Sequence, residues 1–159
     1  MRNFIIFGLI VSVALIMPLG VMATTTAPNV DSISGGGLHD WGLGQSNYRF
    51  YAQVNQAGEV EGYIKSLNRN NCSEFHADVN YLSVEGNTAW LGGTITRSDN
   101  KEVVGSSIFW QVQDNGKGEN AKAPDRVSML YIGLQLPDQM NEPTAQLFNW
   151  DKGVVNIKQ

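Results

Sequence analysis

The stretch Glu74-Phe75-His76-Ala77-Asp78-Val79-Asn80-Tyr81-Leu82-Ser83-Val84-Glu85-Gly86-Asn87-Thr88-Ala89-Trp90-Leu91-Gly92-Gly93-Thr94-Ile95-Thr96 decides the fold class. Phe75, Ala77, Val79 and Tyr81 alternate with Glu74, His76, Asp78 and Asn80, which is how a strand with one apolar and one wet face reads. The phase then slips, because Leu82 and Val84 are the next apolar residues. A one-residue slip turns a strand over, so a β-bulge or bend is expected near Tyr81-Leu82. Glu85-Gly86-Asn87-Thr88 is a tight-turn signal, since Gly and Asn both tolerate positive φ. Ala89 to Thr96 returns as the partner strand. Its Gly92-Gly93 pair marks a bend or a close backbone approach.

The same alternation recurs on either side. Tyr48, Phe50, Ala52 and Val54 alternate with Arg49, Tyr51, Gln53 and Asn55; after a turn at Gln56-Ala57-Gly58, Val60, Gly62 and Ile64 alternate with Glu59, Glu61, Tyr63 and Lys65. That pair reads as a hairpin. An initial strand is expected around Ile33 to Leu38, a loop from Leu67 to Ser73, and a turn at Ser98 to Lys101. Ser107 to Gln113 follows as a strand with Ile108, Trp110 and Val112 on one face. Asp114 to Asp125 reads as a long loop and Val127 to Leu136 as one continuous strand ended by Pro137. Asp138 to Thr144 reads as loop, Ala145 to Trp150 as at most one helical turn, and Gly153 to Ile157 as a closing strand. No segment sustains a 3.6-residue period. The expectation is an all-β antiparallel meander of about seven or eight strands. With no helix to cover its edges, it should form a small closed or nearly closed barrel, with a β-sandwich as the alternative.

Residues 1–23 carry the three parts of a secretory signal: Arg2 ahead of an apolar run from Phe4 to Met17, a break at Pro18-Leu19-Gly20, and Val21-Met22-Ala23 before polar Thr24. The run is shorter than the roughly 20 residues that span a bilayer. Cleavage is expected between Ala23 and Thr24, giving a secreted or periplasmic protein with no stable membrane span. The organisation that follows is a signal peptide at 1–23, a flexible N-terminal segment at 24–32 and one β-domain at 33–159. The formal charge is −4. The Lys and Arg residues lie singly along the chain, which argues against a nucleic-acid surface. Cys72 is the one cysteine, so no intramolecular disulfide can form.

Several stretches occur together in a familiar order: Phe75-His76-Ala77-Asp78-Val79, Leu82 to Thr96, Val112-Gln113-Asp114-Asn115-Gly116, and Pro124-Asp125-Arg126-Val127-Ser128. The set resembles a family of small secreted prokaryotic β-domain proteins of uncharacterised function, over about residues 34–135. The resemblance implies export and an all-β fold, and it supplies no activity. Tyr81 stands where members of that family often carry a cysteine, so no thiol role is implied.

Candidate chemistry is sparse. Glu74, His76 and Asp78 share one strand face and form a carboxylate–imidazole–carboxylate row, the weak catalytic or metal-binding candidates of this chain. The wet face of an amphipathic strand explains the same pattern. Asp114, in an oxygen-rich Gly-punctuated loop, is a weak calcium candidate. The loop lacks the alternating ligands of a calcium site, and Lys117 puts a positive charge inside it. No nucleophile elbow or phosphate loop is present, and no cofactor is expected. Of the aromatics, Tyr51 and Tyr63 on wet faces, with Trp90 and Trp110, are the weak ligand-binding candidates. These features favour an exported non-enzymatic domain that binds a small apolar or sugar-like molecule or a cell-surface component. The alternatives are a small extracytoplasmic enzyme using His76 with Asp78 or Glu74, and a purely structural envelope protein.

Overall fold

A computed structural model describes residues 31–42, 44–70, 73–117, 123–133 and 145–159. The expected signal peptide, its Ala23–Thr24 cleavage site, Cys72 and the loop at Asp138 to Thr144 lie outside the described residues. The chain is all-β. Ten strands run as β1 (Ser32–Asp40), β2 (Gln45–Val54), β3 (Val60–Asn68), β4 (Glu74–Glu85), β5 (Thr88–Ser98), β6 (Ser107–Gln113), β7 (Arg126–Ser128), β8 (Tyr131–Ile132), β9 (Leu147–Asn149) and β10 (Lys152–Lys158). They form one antiparallel sheet in the order β10-β1-β2-β3-β4-β5-β6-β7-β9, with β8 also paired to β6. The sheet curls into a barrel-like wall around a single core. Among the described residues, the helical content is one 3-10 turn at Lys101–Val103.

Alternation sorts the residues as the sequence implies. Tyr48, Phe50, Ala52, Ile64, Ala77, Val79, Ile95, Ile108, Trp110 and Val112 point inward and are buried. The rings of Tyr48, Phe50, Trp110 and Trp150 pack at centroid distances of 5.1 to 6.0 Å, with Phe50 stacked on Trp150 and at a steep angle to Trp110. Room for them comes from inward-facing glycines: a Cβ on Gly35 would lie 2.4 Å from the Phe50 ring. The Gly35-Gly36-Gly37 run therefore serves packing.

The phase slip in β4 is a bulge. Val79 pairs with Gly93 and Tyr81 with Gly92, leaving Asn80 extra. Val79 thus faces inward, and so do Leu82 and Val84 beyond the bulge. Gly93 is needed there because a Cβ would sit 2.1 Å from the Asp78 carbonyl oxygen. The turn at Gly86-Asn87 joins Glu85 to Thr88 directly, with Gly86 at φ +58°.

Three expectations are corrected. The strand expected from Val127 to Leu136 is broken within its described part, which ends at Gly133, because β7 and β8 pair with β6 in registers that differ by one residue. At the break the Ser128 hydroxyl accepts from the Gln111 N–H at 3.1 Å, replacing a ladder bond. Ala145 to Trp150 forms no helical turn, since Leu147–Asn149 pair with β7. The strand count among the described residues is ten, because these short pieces are separate strands.

The ladder does not join its two end strands. On β10, the outward N–H groups of Val155 and Ile157 instead donate to the carboxylates of Asp125 (2.6 Å) and Asp114 (3.0 Å). The other Asp125 oxygen accepts from the Asn115 N–H, and the other Asp114 oxygen from the Gly116 N–H.

Candidate functional site

Two hollows lie beside each other at one end of the wall. The larger, about 310 Å³, opens at the mouth where β1 ends, β2 begins, β3 ends and β4 begins. Trp41, Tyr48, Phe75, Met129, Leu130 and Ile132 supply its apolar lining. Ser46, Ser66, Asn68, Ser98, Asn100 and Glu74 supply polar groups. Inward-facing positions at strand ends are here occupied by serines, which leaves the mouth unfilled above the aromatic core. Met129 and Leu130 reach it because they form the break between β7 and β8.

Trp41 is held firmly. Its Nε1 donates to the Tyr48 hydroxyl at 2.8 Å, and His39 and Phe148 meet its ring edge-on. His39 is 6% exposed, with Nδ1 3.4 Å from Asp151 Oδ2. It lies on the inner face of β1, so it brings no second imidazole to His76 on the outer face of β4.

The smaller hollow, about 220 Å³, is on the outer face and is lined by Asn47, Arg49, Lys65, Ser66, Leu67, Glu74 and His76. Strand register builds it. Arg49 is opposite Lys65, Lys65 opposite His76, and His76 opposite Arg97. Basic side chains that lie singly in the sequence thus form one row across four strands.

Glu74, His76 and Asp78 do share the outer face. Arg97 Nη2 lies 2.6 Å from Glu74 Oε1 and 2.7 Å from His76 Nε2. An arginine only donates, so Nε2 must accept and the neutral ring carries its proton on Nδ1. His76 Nε2 is 4.0 Å from the Glu74 carboxylate. Burial and the nearby Arg97 and Lys65 charges lower the His76 pKa below 6.5, against the opposing pull of Glu74 and Asp78. The ring is therefore largely neutral at pH 7. Its acceptor nitrogen is engaged by Arg97 and not free to take a substrate proton.

The remaining candidates fall elsewhere. Tyr51 and Tyr63 do pair on the outer face, 6.4 Å apart, with Lys65 Nζ 5.2 Å from the Tyr63 ring centroid. The Tyr51 hydroxyl donates to Gln53, whose amide donates to Glu61. Trp110 is fully buried and its Nε1 donates to the Ser128 carbonyl, so its ring offers no surface. Trp90 points to the outer face yet is only 8% exposed. Asp114 spends its carboxylate on the backbone N–H groups of Gly116 and Ile157. No group of three or more potential metal-ligating side chains occurs among the described residues, and no helix among them is long and apolar enough to cross a membrane.

Sequence reasoning missed the mouth residues Met129, Leu130 and Ile132, since a continuous strand hides the break that exposes them. It also missed the basic row, which exists only once the register is known. No protein-family model, curated protein or solved structure matches this chain.

Proposed function

We propose that this chain is an exported, non-enzymatic binding domain that holds a small, mostly apolar ligand in the barrel mouth. The observation that carries the reading is the mouth itself, whose volume of about 310 Å³ sits at the lower end of the range of ligand sites. Trp41, Tyr48, Phe75 and Leu130 pack the body of the ligand, and the Ser46, Ser66 and Ser98 hydroxyls with the Asn68 amide take its polar end. No cationic side chain lines the mouth among the described residues, so an anionic head group would find no partner there. A neutral amphiphile, such as an alkyl chain or ring bearing a sugar-like head, fits this lining best.

Octyl glucoside, titrated below its micelle concentration and followed by tryptophan fluorescence, is a direct probe. Saturable binding is expected, weakened about tenfold or more by Met129→Glu, which puts a charge against the apolar body. Met129 is 51% exposed, so that change spares the core. Equal binding by Met129→Glu and the unaltered chain sinks the reading. Export rests on the pattern at residues 1–23, and N-terminal sequencing of the exported protein is expected to begin at Thr24. Native mass spectrometry of that protein tests whether a neutral amphiphile is carried through purification.

A further inference from the structure

We propose that the outer-face groove between β2, β3 and β4 is an oxyanion site, in which Arg49 and Lys65 bind a phosphate- or sulfate-type group and His76 is a third, proton-gated donor. It is distinct from the mouth and takes the opposite class of ligand. The first observation is register. Arg49 and Lys65 are paired directly across β2 and β3, and His76 and Arg97 continue the row. Like charges opposite one another destabilise a sheet, so such a row in a chain of net charge −4 calls for a counter-ion.

The second observation is what the cations are already doing. Arg97 is matched by Glu74 at 2.6 Å. The ion pairs among the described residues are His39–Asp151, His76–Glu74 and Arg97–Glu74, and neither Arg49 nor Lys65 takes part. Both line the groove with no carboxylate of their own: Lys65 meets only the face of the Tyr63 ring, and Glu74, which also lines the groove, is held by Arg97. An arginine fork beside a lysine point charge matches a tetrahedral oxyanion, which accepts bidentately from one and singly from the other. The hollow of about 220 Å³ holds several times the roughly 30 Å³ share of one water, so an oxyanion fits with part of its hydration shell.

The third observation is the linkage through His76. Arg97 on β5 and Lys65 on β3 oppose its protonation, whereas Glu74 and Asp78 on β4 favour it. An anion seated between Arg49 and Lys65 screens the opposing charges and stabilises the imidazolium. Protonation turns Nε2 from acceptor to donor, releases it from Arg97, and leaves Arg97 to Glu74. Anion affinity therefore rises as pH falls.

Amide chemical shifts of the exported protein at low ionic strength provide the test. With inorganic phosphate, saturable shifts are expected around Arg49, Lys65 and His76. Binding should weaken at least about fivefold in Arg49→Gln or Lys65→Gln, survive in Lys65→Arg, and be unchanged in Lys158→Gln, an exposed cation on β10. Sulfate, whose charge is constant in this range, serves for the pH arm. It should bind more tightly at about pH 5.5 than at about pH 7.5, with the gain lost in His76→Gln. Vesicles of phosphatidylcholine with and without phosphatidylglycerol separate a free anion from a lipid head group, and no preferential vesicle binding is expected. Absence of saturable shifts, equal weakening by Lys158→Gln, or binding to anionic vesicles alone overturns the site. Sulfate affinity independent of pH removes His76 from it.

Discussion

The two hollows share Ser66 and Glu74 as lining residues, yet they are made in opposite ways. The mouth is an interior left incomplete: inward positions that carry Phe50, Ile64 and Ile95 deeper in the core carry Ser46, Ser66 and Ser98 at its end. The groove is an exterior made crowded, by lining up Arg49, Lys65, His76 and Arg97 across four strands. One sheet can thus present apolar and ionic chemistry a strand's thickness apart, because its two faces take alternate residues. Mutations on the inner side should cost folding energy. Those on the outer side should cost charge and little else.

The sharpest way to break this division is to compare core and rim. Trp110→Ala is expected to cost about 3–5 kcal/mol in urea denaturation, because it empties a fully buried ring site and orphans the Ser128 carbonyl. Asp125→Asn comes next, at about 2–3 kcal/mol, since an amide cannot accept from both Asn115 and Val155. Gly86→Val should cost about 1–2 kcal/mol, the penalty of a side chain at φ +58°. His76→Ala should stay within about 0.5 kcal/mol. A larger loss there than at Gly86 would show the outer face to be a structural support, and the division would fail.

Acidity refines the smallest effect. The folded-state pKa of His76 lies below the unfolded value of 6.5, so the unfolded chain holds this proton more tightly. The His76 contribution to stability is therefore flat above that range and declines as pH falls from 6.5 through the lowered folded value. Denaturation midpoints in His76→Gln should lack this component. A midpoint profile identical to that of the unaltered chain would mean the ring is not held as described.

The inner side was legible because burial is written in alternation. The run Tyr48, Phe50, Ala52 and the slip between Val79 and Leu82 announce which residues turn inward and where the strand bulges. Gly86-Asn87 announces the turn through its need for positive φ. The outer row was illegible for a physical reason. Positions 49, 65, 76 and 97 become neighbours only when three turns and two register shifts in the β4–β5 pair set the alignment, and a one-residue change in any of them disperses the row. The break at Met129-Leu130 was hidden because its cause is the Ser128 hydroxyl standing in for a ladder bond, which apolar periodicity does not report. Leu147–Asn149 is strand by pairing with β7, and a three-residue segment has too few alternations to declare itself.

The carboxylates at the β10 edge bear on how copies of this protein behave in company. An end strand with open N–H groups is a template on which another molecule's strand can be laid down, the first step toward sheet-to-sheet polymers. At Val155 and Ile157 those donors are already taken, and by groups that are negatively charged and can only accept. A visiting strand would have to evict Asp125 and Asp114 and bring its own carbonyl oxygens against them. The wall can therefore stay open along its seam without offering these positions for growth.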